Sequence, residues 1–235
     1  MTAIKAINLD GDAFTRGVAH GRALKREVAD NIETYLRRFA AGGLDREVAL
    51  REGARWVDAI AAADRDYAEE MRGIADGAGQ TQAALAMLNA RYEIAFTLFG
   101  GEARAPDAAA EVDGCSTFGV LPEATVDGRT YLGQNWDWLE GIHGRAVVLR
   151  LQRRDKPSLI CLTEAGIVGG KMGVNERGIG LVENGLASDA DGKNPVNISN
   201  RPGVDKFPAW RPDGGAIIWV SRRNGVSDLY IAEVG

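Results

Sequence analysis

The sequence is poor in the residues that build several common kinds of site. Its 235 residues include two cysteines, Cys115 and Cys161, and two histidines, His20 and His143. Two cysteines do not make a disulfide framework. Neither histidine lies at ligand spacing from a cysteine or an acidic residue, and no glycine-rich phosphate loop of the Walker type is present. We therefore expect no metal and no other cofactor.

Charge and hydrophobic runs exclude further classes of protein. A formal net charge of −5 does not favour binding to nucleic acid or to an anionic membrane. No apolar run approaches the roughly 20 residues that span a bilayer. The N-terminus MTAIKAINLDGD has one lysine and no apolar core, unlike a signal peptide. With 45% apolar residues, the composition predicts a globular cytoplasmic protein with neither nucleic acid nor membrane as partner.

The first hundred residues have helical periodicity. Apolar residues recur at steps of three and four in three segments: Leu24 to Phe39, Trp56 to Ile74, and Leu85 to Phe99. Thr81 is a plausible N-cap for the third segment. Gly17 and Gly21 lie four residues apart, which predicts close approach of another backbone to the first helix.

Short β-type runs follow the polar stretch EARAPDAAAEVDG. They are STFGVL, TYLGQNW, RAVVLRL, SLICLT and IGLVEN. A composition boundary near residue 195 precedes a turn-rich tail, in which Asn224-Gly225 between AIIWVS and DLYIAEV predicts a β-hairpin. Helices first and strands afterwards predict an α+β fold.

Cys115 allows three interpretations. It could be a small buried hydrophobe, as we expect for Cys161. It could be a nucleophile with His143 as its base, whereas His20 is expected to make a structural hydrogen bond. If the chain were cleaved before Cys115, the new α-amino group, with a pKa near 8, could accept the thiol proton and no histidine would be needed.

Two further segments carry polar residues that suit amide chemistry. In GQNWDW, Asn135 and Asp137 could orient an ammonium group, or the segment could be an edge strand with packed tryptophans. In GVNERGIGLVENGL, Asn184 could donate to an oxyanion or be a satisfied buried amide. Trp136, Trp138 and Phe118 suggest an apolar acyl pocket, although core packing explains aromatic residues equally well.

Taken in order, DGCSTFGV, GQNWDW and GVNERGIGLVENGL resemble the isopenicillin-N acyltransferase family of N-terminal-nucleophile hydrolases. GDAFTRGVAHGRAL, EMRGIADGAG and MLNARYEI resemble its helical pro-region, so the resemblance covers about residues 7–194. It implies a helical pro-region at 1–114 and a partial αββα sandwich at 115–195. The β-hairpin tail, 196–235, resembles one TolB-type propeller repeat.

The resemblance implies a precursor that cleaves itself between Gly114 and Cys115. Cys115 would then be nucleophile and base, Asp137 would orient its amine, and Asn184 would line the oxyanion hole. Asn135 and Thr117 are candidates for substrate contact and for assisting the cleavage. The implied substrate is a small-molecule amide or an acyl-CoA, attacked through an acyl-thioester, and the two fragments could stay associated.

One feature departs from the family pattern and favours a second hypothesis. Only 120 residues follow Cys115, fewer than in the family's catalytic chain. The alternative is a truncated or chimeric, catalytically inactive chain that acts as a structural or interaction module through exposed sheet edges.

Overall fold

The computed structural model describes residues 4–94, 115–153 and 156–182 with their side chains, and 205–210, 216–223 and 226–233 as backbone strands. Within these ranges, five α-helices and ten β-strands confirm the predicted α+β class. The chain divides into two compact units, Met1–Leu186 and Ala187–Gly235. The three-part division expected at residues 114 and 195 stays a prediction.

Three of the five helices begin at a side chain that accepts a backbone N–H. Asp12 accepts from Thr15 N at 2.7 Å, and Thr81 accepts from Ala84 N at 3.2 Å, which confirms the predicted cap. The helices are α1 (Ala13–Ala23), α2 (Lys25–Ala41), α3 (Arg46–Ala63), α4 (Arg65–Ala78) and α5 (Gln82–Asn89).

The apolar pattern from Trp56 to Ile74 is divided between α3 and α4. Asp64 has extended backbone angles, φ −151° and ψ 110°, and ends α3. Its side chain then accepts from Tyr67 N at 3.0 Å and begins α4. A local side-chain bond to the backbone competes with helix continuation here, and periodicity alone does not reveal it.

Glycines allow α1 and α4 to pack backbone against backbone. A Cβ on Gly17 would overlap the carbonyl of Glu70, and a Cβ on Gly21 would overlap that of Ile74. Gly73 and Gly77 make the reciprocal approach to α1. The close approach predicted from Gly17 and Gly21 is therefore confirmed.

A five-stranded sheet packs on these helices in the order β1-β4-β5-β6-β7, and β2 pairs with β3 in a separate two-stranded sheet. The strands are β1 (Lys5–Leu9), β2 (Ser116–Val120), β3 (Tyr131–Asn135), β4 (Ala146–Leu151), β5 (Leu159–Glu164), β6 (Met172–Asn175) and β7 (Gly180–Leu181). Strand β1, which the helical reading of the N-terminus omitted, runs parallel to β4. Because its partner strand lies far along the chain, no local pattern in the sequence indicates β1.

One face of this sheet contributes to the core. Along β4, Val147, Leu149 and Leu151 are buried and share one apolar cluster with α2 and α5. On the alternate positions, Ile160 of β5 and Val174 of β6 are each 48% exposed. The helices therefore cover one side of the sheet, while the other side retains accessible apolar surface.

The second unit contains three antiparallel strands in its described residues. They are β8 (Asp205–Trp210), β9 (Ala216–Arg223) and β10 (Val226–Glu233), in the order β10-β9-β8. The pairing of β9 with β10 agrees with the predicted hairpin, and its turn, Asn224-Gly225, lies outside the described residues. Strand β8 was not predicted, since DKFPAW carries a proline that weakens a strand signal.

Candidate active site around Cys115

Cys115 lies directly before β2 and is half-buried. Its Sγ lies 4.0 Å from the backbone carbonyl oxygen of Asp137, to which the thiol donates. The structure therefore brings together the two residues that the sequence placed in one site. The contact runs through the Asp137 carbonyl, and the Asp137 side chain is exposed.

The register of β2 and β3 explains this proximity. Ser116 pairs with Asn135 and Thr117 pairs with Gln134, so continuing the ladder by one step places Cys115 beside the residues that follow β3. Asn135 Nδ2 donates to Ser116 Oγ at 3.1 Å, next to the cysteine. Thr117 is exposed on β2.

Trp138 anchors the segment that carries Asp137. Its Nε1 donates to Tyr35 OH on α2 at 2.8 Å. Its ring meets the Tyr92 ring edge to face, with centroids 5.5 Å apart. A residue of the predicted pro-region thus fixes the chain one position after Asp137.

Tyr35 belongs to a buried polar network that the sequence analysis did not identify. Tyr35 OH donates to Glu164 Oε2 at 2.9 Å and accepts from Arg91 Nε at 3.1 Å. Arg91 and Lys171 lie 3.6 and 3.3 Å from Glu164 Oε1. Burial, followed by the charge of Glu164, raises the pKa of Tyr35 well above its usual range, so the phenol stays protonated.

Three aromatic rings lie around the Lys171 ammonium. Nζ lies 5.0 Å from the Trp136 ring centroid, 5.8 Å from that of Trp138 and 5.6 Å from that of Tyr92. In the sequence, this buried polar network is indicated by a charged residue at the end of an otherwise apolar strand, Glu164 after SLICLT.

The remaining candidates take different positions. Gly114 and Asn184 lie outside the described residues, so their roles stay predictions. His143 is exposed and, in the described part of the chain, makes no hydrogen bond with Cys115. Cys161 is buried, and burial raises the pKa of its thiol to about 11, which confirms it as a packing residue.

His20 makes the structural hydrogen bond that was expected. Its Nε2 accepts from Gly166 N at 3.0 Å, and burial lowers its pKa to about 4, so the ring is neutral. Across the described ranges, no three His, Cys, Asp or Glu side chains gather as metal ligands would. No helix among the same residues is long and apolar enough to cross a membrane.

Comparison with known proteins finds similarity to an acyltransferase. No family model matches the chain. The acyl-coenzyme A:6-aminopenicillanic-acid-acyltransferase 40 kDa form of Emericella nidulans is 31% identical over 195 residues, which cover 77% of this chain and 46% of that protein. The chain is thus similar to that acyltransferase along most of its own length, and spans about half of the relative's.

Proposed function

We propose that the chain is a self-processing cysteine amide hydrolase or acyltransferase of the N-terminal-nucleophile class, acting through an acyl-thioester on Cys115. Similarity to an acyltransferase supports this kind of function. The observation that carries the proposal is the contact of Cys115 Sγ with the Asp137 carbonyl at the entrance of β2.

In this mechanism, water hydrolyses the peptide bond between Gly114 and Cys115, which leaves a carboxylate on Gly114 and frees the amine of Cys115. The neutral amine takes the thiol proton, and Sγ attacks the carbonyl carbon of an amide or an acyl-CoA. The oxyanion receives hydrogen bonds from Asn184 and a backbone N–H, each worth roughly 3 kcal/mol of the barrier. When the carbon–nitrogen or carbon–sulfur bond breaks, the proton passes to the leaving amine or thiol, and the acyl-thioester remains.

Water or an amine then attacks the thioester, giving hydrolysis or acyl transfer, and the thiol recovers its proton. Asp137 orients the amine of Cys115 through its carboxylate or its carbonyl. Asn135, held beside Cys115 by its bond to Ser116, contacts the substrate together with Thr117. Trp136 and Trp138 supply apolar surface for the acyl chain.

Two contacts support the expectation that the cleaved fragments stay together. Strand β1 pairs along its whole length with β4, and Tyr35 binds Trp138. Both contacts join residues before 114 to residues after 115. Purified material should therefore elute from a size-exclusion column as one species.

The proposal is tested by intact mass spectrometry of purified protein. We expect two masses, for residues 1–114 and 115–235, and one undivided mass for Cys115→Ala. Cys161→Ala is the matched control and should be processed normally. A single mass for the undivided wild-type chain, as for Cys115→Ala, would contradict self-processing.

A second candidate function is favoured by the exposed apolar surface. Phe118 is 57% exposed, Leu132 47% and Leu181 61%. An inactive interaction module would associate through such surface without cleavage. It would appear as an undivided chain whose oligomeric state changes with concentration. The third hypothesis, a Cys115–His143 pair, predicts that His143→Ala abolishes hydrolysis, whereas our proposal predicts little effect.

A further inference from the structure

The two strands beside Cys115 are not hydrogen-bonded to the main sheet. Among the described strands, β2 pairs with β3 alone, and the five-stranded sheet is bounded by β1 and β7. The position of the β2–β3 pair relative to the main sheet therefore depends on side-chain contacts and on the segment that leads from β3 toward β4. That segment begins with Trp136, Asp137 and Trp138.

Lys171 connects the main sheet to this segment. Its backbone N–H donates to Leu162 O at 2.9 Å, which attaches the residue to β5 just before β6 begins. Its side chain is buried, and Nζ lies 3.3 Å from Glu164 Oε1 at the end of the same strand. Because both its backbone and its charge are anchored to β5, the ammonium group has a defined position.

The same ammonium contacts the aromatic residues on either side of Asp137 in the sequence. Nζ lies 5.0 Å from the Trp136 ring centroid and 5.8 Å from that of Trp138, within the range of cation–π attraction. Both tryptophans are half-buried, whereas Asp137 between them is exposed. This alternation is typical of an extended segment, in which successive side chains point to opposite sides.

These contacts restrain the backbone carbonyl of Asp137. Its oxygen is the group that Cys115 Sγ contacts at 4.0 Å. Lys171 holds both neighbours of Asp137, whereas the Tyr35 hydroxyl binds Trp138. A carbonyl between two anchored side chains keeps its place beside the thiol, and groups that react with each other gain large rate factors from being held in place.

We propose that Lys171 is a positioning residue of the Cys115 site. Its ammonium holds the segment from Trp136 to Trp138 so that the Asp137 carbonyl lies at the Cys115 thiol. Lys171 acts through the two tryptophans and not on the reacting atoms. The effect on processing rests on the proposed function, whereas the effect on the thiol itself does not.

The rate of self-processing is the first measurement. Lys171→Met removes the charge and keeps a side chain of similar length, and Lys171→Arg keeps the charge. In a time course of cell-free synthesis, Lys171→Met should form the two fragments about tenfold more slowly, and Lys171→Arg should restore most of the wild-type rate.

Met87→Ala is the control for a general loss of stability. Met87 is fully buried and packs beside Gly53, between α5 and α3. Its truncation leaves a cavity and lowers the free energy of unfolding, which urea denaturation measures for both variants. The processing rate of Met87→Ala should nevertheless stay within about twofold of the wild-type rate, because its contacts do not include the Trp136–Trp138 segment.

Trp136→Leu tests the inference even if Lys171→Met fails to fold. It removes the tryptophan ring nearer to the ammonium and leaves the pair of Lys171 with Glu164 in place. We expect processing of Trp136→Leu to be about fivefold slower than that of the wild type. Trp136→Phe keeps an aromatic face and should lose less.

Alkylation of Cys115 separates this inference from the proposed function, because it does not require cleavage. In a Cys161→Ala background, Cys115 is the one remaining cysteine, and intact mass spectrometry follows its reaction with iodoacetamide. Rates are compared between chains that have the same N-terminus. Without the restraint on Asp137, the thiol of Lys171→Met should react about threefold faster than that of the wild type, of Lys171→Arg or of Met87→Ala.

An undivided wild-type chain would contradict the proposed function, and the alkylation rates would still test the position of the segment. Three results would overturn the inference about Lys171. The first is alkylation of Lys171→Met at the wild-type rate or, in a chain that is processed, an unchanged processing rate. The second is a Lys171→Arg variant that behaves like Lys171→Met, since the positive charge would then play no part. The third is the same change in Met87→Ala, which would reduce the effect to stability.

Discussion

Two buried carboxylates of the first unit differ in how completely they are engaged. Glu164 is fully buried and is approached by four side chains: Tyr35 and Asn31 on one oxygen, Lys171 and Arg91 on the other. Glu70 is 4% exposed, and among the described residues it is hydrogen-bonded by Arg16 alone. The first ties helices to the sheet near Cys115, whereas the second ties α4 to α1. In both carboxylates Oε1 lacks a hydrogen-bond partner among the described residues, but that of Glu164 lies within ion-pair distance of Arg91 and Lys171. Two carboxylates of similar burial therefore differ in how many cations surround them.

The largest effect is expected at Glu164. Glu164→Gln leaves the buried charges of Arg91 and Lys171 uncompensated, so the free energy of unfolding should fall by about 3–5 kcal/mol. Urea denaturation followed by circular dichroism measures it, with the exposed Glu176→Gln as control. If Glu164→Gln lowers the free energy of unfolding less than Glu70→Gln does, the expected difference between the two carboxylates is wrong.

The buried His20 should make stability depend on pH. Its folded pKa of about 4 lies below the ordinary 6.5, so between these values the unfolded chain binds a proton that the folded chain does not. This contribution is fully present above pH 6.5 and is lost as pH falls toward 4, by about 3 kcal/mol. Denaturation at several pH values should show the loss in wild type and in the exposed control His143→Gln, but not in His20→Gln.

At Glu70 the expected loss is smaller. Glu70→Gln retains an oxygen that accepts from Arg16. Because the negative charge is lost, the free energy of unfolding should fall by about 2 kcal/mol. Glu69→Gln, whose solvated carboxylate pairs with Arg72 on the same helix, is the matched control and should change stability less than Glu70→Gln does. Equal losses at Glu69 and Glu70 would show that the Arg16 pair contributes little.

The last prediction concerns the hydroxyl that links the Glu164 network to Trp138. Tyr35→Phe removes its three hydrogen bonds, with Glu164, Arg91 and Trp138, at a cost of about 1–3 kcal/mol in unfolding free energy. Tyr131→Phe, whose exposed hydroxyl binds Asp127, is the control. If Trp138 positions Asp137 as proposed, Tyr35→Phe should also slow the appearance of the two fragments in a time course, whereas Tyr131→Phe should not.

Local signals predicted much of the fold. The spacing of apolar residues gave the helices, Thr81 gave a cap, and Gly17 and Gly21 gave a close helix crossing. Strand β1 and the division of helices at Asp64 were not predicted. The first depends on a partner far along the chain, and the second on one side-chain hydrogen bond that periodicity does not record.

The candidate site, like the fold, was predicted only in part. The resemblance to the acyltransferase family implied that Cys115 and Asp137 share a site, and the structure gives them a contact through the Asp137 carbonyl. The link from Tyr35 to Glu164 joins residues 129 positions apart in sequence. Such a pairing has no local pattern, because each residue taken alone resembles a solvated polar residue.

The crossing of α1 and α4 has a consequence for recognising further chains of this kind. Each helix contributes two glycines separated by three residues, Gly17 with Gly21 and Gly73 with Gly77. Because a methyl group at any of the four would collide with backbone, a search could require both spacings jointly as a filter. Such a filter would depend on the steric fit between two helix backbones and would not depend on the nucleophile or its chemistry.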